Sequence, residues 1–278
     1  MKRMILVTAW VLLSTLSWSQ NQAIESSSVQ LVRNATVVIT YAGHKILVDP
    51  MLMPKGSYES IVGVEKNPLV ELPLPKEEIT KGVDLILVTH THFDHFDEVA
   101  SKSLNKQLPL FHQPADQDFF KKAGFVNAQT LQSHTTWKNI SVDRTEAQHG
   151  SGVILEKMGK TSGFILRAKN QPTIYIIGDG IWTEGIKANL EKYKPDYVIA
   201  NTGGAAIPGF EKTPIIMDIE QTITLLKSSG KAKVIAVHME ALDHCHTKRA
   251  ELRQKADSLN ISNEKLLIPQ DGQIISLK

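Results

Sequence analysis

The sequence predicts a mixed α/β layered fold, and three features carry that expectation. The 278 residues are 42% hydrophobic, enough to bury a substantial core in one large domain or two closely joined halves. Two β-branched runs, Val29 to Ile39 and Lys45 to Val48, flank Ala42-Gly43 and read as a hairpin. Beyond them, short apolar runs of strand length alternate with helical stretches.

The first nineteen residues form a separate unit. Lys2 and Arg3 precede an almost unbroken apolar run from Met4 to Leu16, and Ser17-Trp18-Ser19 then places small residues before Gln20. That layout predicts a cleavable secretory signal over residues 1–19, and an exported protein, periplasmic or secreted. The apolar run falls short of the ~20 residues needed to span a bilayer, so no membrane insertion is expected after cleavage. Removing it takes away Lys2 and Arg3 and no acidic residue, and the formal charge of +2 becomes 0. No Lys/Arg-rich patch occurs elsewhere, which argues against nucleic acid as a partner. Cys245 is the single cysteine and cannot form an internal disulfide.

Residues 20–28 are polar and read as a flexible lead-in to a domain over 29–278. After the hairpin, Asp49-Pro50 ends a strand. Residues 51–75 carry Pro54, Pro68, Pro73 and Pro75 with Gly56 and Gly63, the makeup of a long, substrate-facing excursion. Asp84 to Thr89 is a buried strand, Phe96 to Asn105 a helix, Leu110 to His112 a strand, and Asp116 to Ala123 a helix. Trp137 to Val142, Gly163 to Arg167 and Thr173 to Ile177 read as strands. Helices are expected over Trp182 to Tyr193, Met217 to Ser228 and Lys248 to Ser258, with strands at Tyr197 to Ala200 and Val234 to Val237. Two short strands close the chain.

Thr89-His90-Thr91-His92-Phe93-Asp94-His95 packs three imidazoles and a carboxylate into six positions directly after the apolar strand Leu85-Ile86-Leu87-Val88. In extended chain, residues i and i+2 project to one side, so His90 and His92 can converge on one cation. Asp94 and His95, as the chain turns, can face a second. Imidazole and carboxylate are the donors that Zn²⁺ and similar ions take. Asp179 follows the strand ending at Ile177, and His238 follows Val234 to Val237. Strand carboxyl ends are where α/β proteins gather chemistry. A local turn would also explain Asp179, and His149, in Ala147-Gln148-His149-Gly150, has only a weak signal of its own.

These residues resemble the metallo-β-lactamase superfamily, whose signature is H-x-H-x-D-H followed by a His, an Asp and a final His. The resemblance extends from about Val29 to the end. Arg33-Asn34-Ala35-Thr36, Asp49-Pro50 and Val237-His238-Met239-Glu240 are similar to the branch of ascorbate-6-phosphate-lactonase-like and other uncharacterised hydrolases. It implies a four-layer αββα sandwich with metals at one edge of the paired sheets. It implies, too, that His90, His92 and His149 bind a first ion and Asp94, His95 and His238 a second, with Asp179 bridging. Asp49 would support the site from behind, since a metal-bound His needs an oriented acceptor for its other N–H. Asn34 stands where lactonase-like relatives often place a His. His244 is the alternative to His238 as final ligand. His44, His112 and His134 match nothing and read as ordinary surface or core residues.

Two divalent ions, with Zn²⁺ the first expectation and Mn²⁺ or iron within range, sit roughly 3.5–4 Å apart in such sites and share a hydroxide nucleophile. The expected activity is hydrolysis of an ester, lactone or phosphodiester bond in a small-molecule substrate, with Asp94 orienting the hydroxide. The Asn201-Thr202-Gly203-Gly204-Ala205 turn offers backbone N–H groups to an anion, or is simply a tight turn. Trp182 and the 51–75 excursion are candidate pocket walls. The competing readings are a di-iron oxidoreductase on the same fold and a non-catalytic metal-binding module.

Overall fold

The computed structural model describes residues 26–278. The expected leader over 1–19 and the lead-in up to residue 25 lie outside the described residues. Within the expected lead-in, Ser27 is buried and Ser28 opens the first strand.

Fourteen strands and seven α-helices follow in the described residues: β1 (Ser28–Arg33), β2 (Thr36–Tyr41), β3 (His44–Val48), α1 (Lys76–Thr80), β4 (Leu85–Val88), α2 (Glu98–Ser103), β5 (Leu110–His112), α3 (Gln117–Lys122), β6 (Ala128–Thr130), β7 (His134–Trp137) and β8 (Ile140–Ala147), then α4 (Val153–Met158), β9 (Thr161–Arg167), β10 (Ile174–Ile176), α5 (Glu184–Tyr193), β11 (Tyr197–Asn201), α6 (Ile219–Ser228), β12 (Lys233–Val237), α7 (Arg249–Ser258), β13 (Leu266–Leu267) and β14 (Ile274–Ser276). They form two seven-stranded sheets, in the orders β14-β1-β2-β3-β4-β5-β6 and β13-β12-β11-β10-β9-β8-β7. Each sheet is antiparallel on one side and parallel on the other, the change coming at β3 in the first and at β10 in the second.

Period-two alternation explains the layering. Leu85 and Leu87 of β4 enter the core between the sheets, while Ile86 and Val88 face outward onto α1–α3 through Ile79, Ala100 and Phe120. In β12, Ile235 and Val237 point inward, and Val234 and Ala236 meet Leu225, Leu226 and Leu252 of α6 and α7. Strands covered on both faces are therefore apolar throughout, and the molecule is an αββα sandwich. Among the described residues no helix is long and apolar enough to cross a membrane.

Two of the expected strands are each broken by a turn. The run Val29 to Ile39 is two strands, because Asn34 takes a left-handed φ of 58° and turns the chain between β1 and β2. Trp137 to Val142 is likewise a corner, turned at Lys138 with φ 51°. Beyond it β8 runs on through Asp143, Arg144 and Glu146, whose polarity hid the strand. The 51–75 excursion has no helix and only an isolated bridge between Tyr58 and Asn67. It is anchored instead by the wholly buried Arg33, whose guanidinium donates to the carbonyls of Met51, Met53 and Val70 at 3.1, 2.7 and 2.9 Å.

Candidate metal centre

All seven candidate ligands meet at one edge of the sandwich, each on or just beyond the end of a strand. His90, His92, Asp94 and His95 occupy the loop after β4. His149 lies two residues past β8, Asp179 three past β10, and His238 directly follows β12. The first sheet thus supplies four groups and the second three. Their donor atoms fall into two sets, His90, His92 and His149, and Asp94, His95, Asp179 and His238, each with all atoms within 4.8 Å of one another. Asp179 lies between the sets: its Oδ2 is 3.9 Å from His90 Nε2, 3.4 Å from His149 Nε2 and 3.2 Å from His95 Nε2.

The ring orientations suit a cation. Asp49, at the end of β3, accepts the Thr89 N–H on Oδ1 at 2.7 Å. Its Oδ2 accepts the Thr89 hydroxyl at 2.7 Å and His95 Nδ1–H at 2.8 Å. His149 Nδ1 donates to the Ile215 carbonyl at 2.7 Å, and His90 Nδ1 lies 3.1 Å from Thr89 Oγ1. With the protons held on Nδ1, the Nε2 lone pairs face the cluster. His95 and His238 bring their Nε2 atoms to 3.2 Å, and His90 Nε2 is buried without a hydrogen-bond partner. Converging lone pairs beside two carboxylates are the donor chemistry of a bound cation rather than of a self-satisfied polar cluster.

Electrostatics follow from burial and proximity. Burial alone would raise Asp94 and Asp179, but His95 and His238 hold both carboxyls well below the usual range. Burial pushes His90 and His149 down, keeping them neutral. Burial also opposes charge on His95, yet Asp179, Asp94 and Asp49 outweigh it and push it up to about 10; His238 is raised chiefly by Asp179.

Several supporting residues carried little or no signal in the sequence. Asn34 Nδ2 donates to the Asp94 carbonyl at 3.0 Å and sits 3.4 Å from His238 Nε2, so the residue at this departure from the lactonase pattern still belongs to the site. Asn201 Nδ2 donates to Asp179 Oδ1 at 2.6 Å, and the Cys245 thiol lies 3.6 Å from His238 Nδ1. The Asn201–Ala205 turn is structural: its Thr202 and Gly204 N–H groups are bonded to Val237 and Met217 carbonyls. A Cβ on Gly203 would stand 2.1 Å from the His238 carbonyl, which explains the glycine there.

Over the cluster lies a cavity of about 200 Å³ lined by His92, Asp94, His149, Asp179, His238 and His244 on the polar side. Ile61, Phe93, Met158, Ala205, Ile207 and Ile215 form the apolar side, and among the described residues no Lys or Arg lines it. The excursion thus contributes Ile61, and Tyr58 stacks edge-on against Phe93 with ring centroids 4.6 Å apart. Trp182 packs instead on the outer face of the second sheet. His44 and His134 lie beside Asp84 and Asp143, and His112 is buried in β5; none joins the site.

Comparison with known proteins agrees with this geometry. A family described as "Beta-lactamase superfamily domain" matches residues 44–239. The UPF0173 protein YddR of Bacillus subtilis (strain 168) is 35% identical over 252 residues, covering 88% of this chain and 98% of its own. A crystal structure from Veillonella parvula DSM 2008, described as a possible metal-dependent hydrolase, superposes with a TM-score of 0.87 at 32% identity, covering 91% of this chain and 100% of that one. An isothiocyanate hydrolase from Delia radicum gut bacteria does so with a TM-score of 0.84 at 34% identity, covering 90% and 99%. The HxHxDH loop, the three later strand-end ligand candidates and these relatives agree, and the chain belongs to the metallo-β-lactamase superfamily, among its metal-dependent hydrolases.

Proposed function

We propose that the protein is an exported, binuclear metal-dependent hydrolase acting on small uncharged electrophiles, with organic isothiocyanates the first candidates. The observation that carries this reading is the cavity: six ionisable groups on one wall, apolar side chains on the other, and no Lys or Arg among the described lining residues. Apart from the ions themselves, no Lys or Arg among the described lining residues is placed to hold a charged phosphate group, which favours the neutral esters and lactones among the expected substrates. The similarity to an isothiocyanate hydrolase adds a further neutral class.

His90, His92 and His149 would hold one ion and Asp94, His95 and His238 the other, with Asp179 shared. Two bound divalent ions, Zn²⁺ foremost, would supply a hydroxide at neutral pH and polarise the electrophile. Asp94, kept ionised by His95 and His238, faces the cavity and can accept a hydrogen bond from the attacking water and so orient it. Ile61, Phe93, Ile207 and Ile215 would bury the organic substituent and exclude bulk water. With an isothiocyanate the balance is R–N=C=S plus water to R–NH₂ plus carbonyl sulfide, with no redox partner needed.

The test is elemental analysis of purified protein together with a panel of isothiocyanates, lactones, carboxylic esters and phosphodiesters. Two ions per chain are expected, with turnover of neutral substrates that chelation abolishes and Zn²⁺ or Mn²⁺ restores. Turnover surviving complete metal removal, or a preference for phosphodiesters, would overturn the proposal.

A further inference from the structure

Six ionisable side chains line the cavity, and His244 alone among them is left out of the two ion sets. It is the residue that sequence spacing offered as an alternative final ligand. The structure gives that position to His238 and sets His244 on the cavity wall beside it. The residue is only 4% exposed, and its Nδ1 is buried with no hydrogen-bond partner. The Asp243 carboxylate stands 3.9 Å away, beyond hydrogen-bond reach. Buried polar atoms in folded proteins almost always have a partner, so a cavity-lining imidazole with no protein partner on Nδ1 has hydrogen-bonding capacity left for a ligand.

The surrounding chain holds this ring in place. The His244 carbonyl accepts the Ala206 N–H at 3.1 Å, the Cys245 N–H reaches the Leu242 carbonyl at 3.1 Å, and Cys245 pairs with Ala205 across an isolated bridge. One residue earlier, Asp243 accepts hydrogen bonds from Asn67 Nδ2 at 2.8 Å, from the Glu65 N–H at 3.1 Å and from the Ser60 hydroxyl. That carboxylate fastens the covering excursion to the loop bearing His244. A backbone pinned from both sides, carrying a nearly fully buried ring, places the imidazole as a group that must meet a substrate atom requires.

We propose that His244 is a substrate-contacting residue whose imidazole N–H donates a hydrogen bond to the heteroatom of the electrophile that gains negative charge as water attacks, an assignment that rests on the hydrolase reading above. In an isothiocyanate that atom is the nitrogen or sulfur flanking the attacked carbon. A neutral imidazole always carries one N–H, so the contact needs no change of charge. The apolar wall opposite would hold the substituent and turn the reacting group towards His244 and the carboxylates.

The experiment compares wild type with His244→Ala, His244→Gln and His238→Ala by metal content, steady-state kinetics and calorimetric binding of N-methylthioacetamide, a neutral N–C–S probe. His244→Ala is expected to keep its two ions while kcat falls about 10²–10³-fold with KM little changed, the size of loss seen when one transition-state donor is removed. His244→Gln, which retains a donor, should recover part of it, and it replaces the alanine variant should that fail to fold. His238→Ala should lose an ion. Loss of an ion from the His244 variants, or wild-type kcat in metal-replete protein, would overturn the assignment. A wild type inert towards isothiocyanates would sink only the substrate reading. The neutral thioamide then decides for His244: at least tenfold weaker binding in the alanine variant supports it, and equal or absent binding in both proteins refutes it.

Discussion

Replacing Asp49 by asparagine changes one atom of a buried carboxylate and should weaken the site that His95 serves. The backbone tolerates the change, because residue 49 has φ 45° and asparagine enters the left-handed region readily. The hydrogen bonding does not. Asp49 Oδ1 accepts the Thr89 N–H, and Oδ2 accepts both the Thr89 hydroxyl and His95 Nδ1–H. An amide can keep its oxygen on the Thr89 N–H and must then turn NH₂ towards His95. The Thr89 hydroxyl can rotate and accept instead. His95 can adapt only by moving its proton to Nε2, the atom 3.2 Å from Asp179 Oδ2, and a protonated Nε2 has no lone pair for a cation. Removing the acceptor behind a metal-bound His typically lowers affinity about 10–100-fold. At ~1.4 kcal/mol per decade that is about 1.4–2.8 kcal/mol, close to the ~1.5–3 kcal/mol of one hydrogen bond to a charged group. A single lost contact therefore accounts for the whole effect. Competition with a chromophoric zinc chelator, alongside elemental analysis, measures it. Asp49→Asn protein that binds two ions as tightly as wild type would refute the tautomer argument.

Metal uptake should also depend on pH. His95, pushed up to about 10, and His238, raised as well, hold protons in the ion-free protein at neutral pH, and a bound ion must displace them. Affinity should climb from pH 6 to 9 with proton release visible by calorimetry in two buffers; a flat profile would contradict this. In ion-free protein the raised His95 stabilises the fold fully below its unfolded value of about 6.5, and that contribution fades as pH rises through about 10. The ion-free melting temperature should fall across that window. Gly178→Ala tests the strand end that delivers Asp179. Residue 178 has φ 75°, and a Cβ there would stand 2.4 Å from the Ser162 carbonyl. Left-handed strain of ~1–2 kcal/mol and overpacking of ~1–3 kcal/mol give a loss of roughly 2–5 kcal/mol, which an unchanged melting temperature would disprove.

The site was legible in the sequence where ligands are local and strands are buried. His90 to His95 follow four consecutive apolar residues, and Asp179 and His238 also end apolar strands. His149 was faint because β8, beside the edge of its sheet, alternates polar and apolar residues and lacks that label. The Asn34 turn was hidden for a related reason: Arg33 and Thr36 beside it are themselves buried strand residues, so only one asparagine marks the break between β1 and β2. Asp49 could be read through the family resemblance. Asn201, Thr89 and Cys245 could not be assigned their contacts, since these lie 22, 40 and 7 positions from the partners they hold. Short polar side chains carry no record of which distant neighbour they will meet. The apolar wall of the cavity was also hidden, because Ile61, Phe93, Ile207 and Ile215 meet only after folding.

Each of the two ligand sets draws on both sheets, and that division has an outcome for assembly. Neither half of the polypeptide alone presents a complete nest, so a nascent chain released as far as β6 would hold no ion tightly. Loading would wait until the second sheet has docked, and the pair of ions would then rivet one rim of the sandwich. Chelation should accordingly leave a folded molecule whose ligand-bearing rim breathes, and limited proteolysis would nick it there before anywhere else.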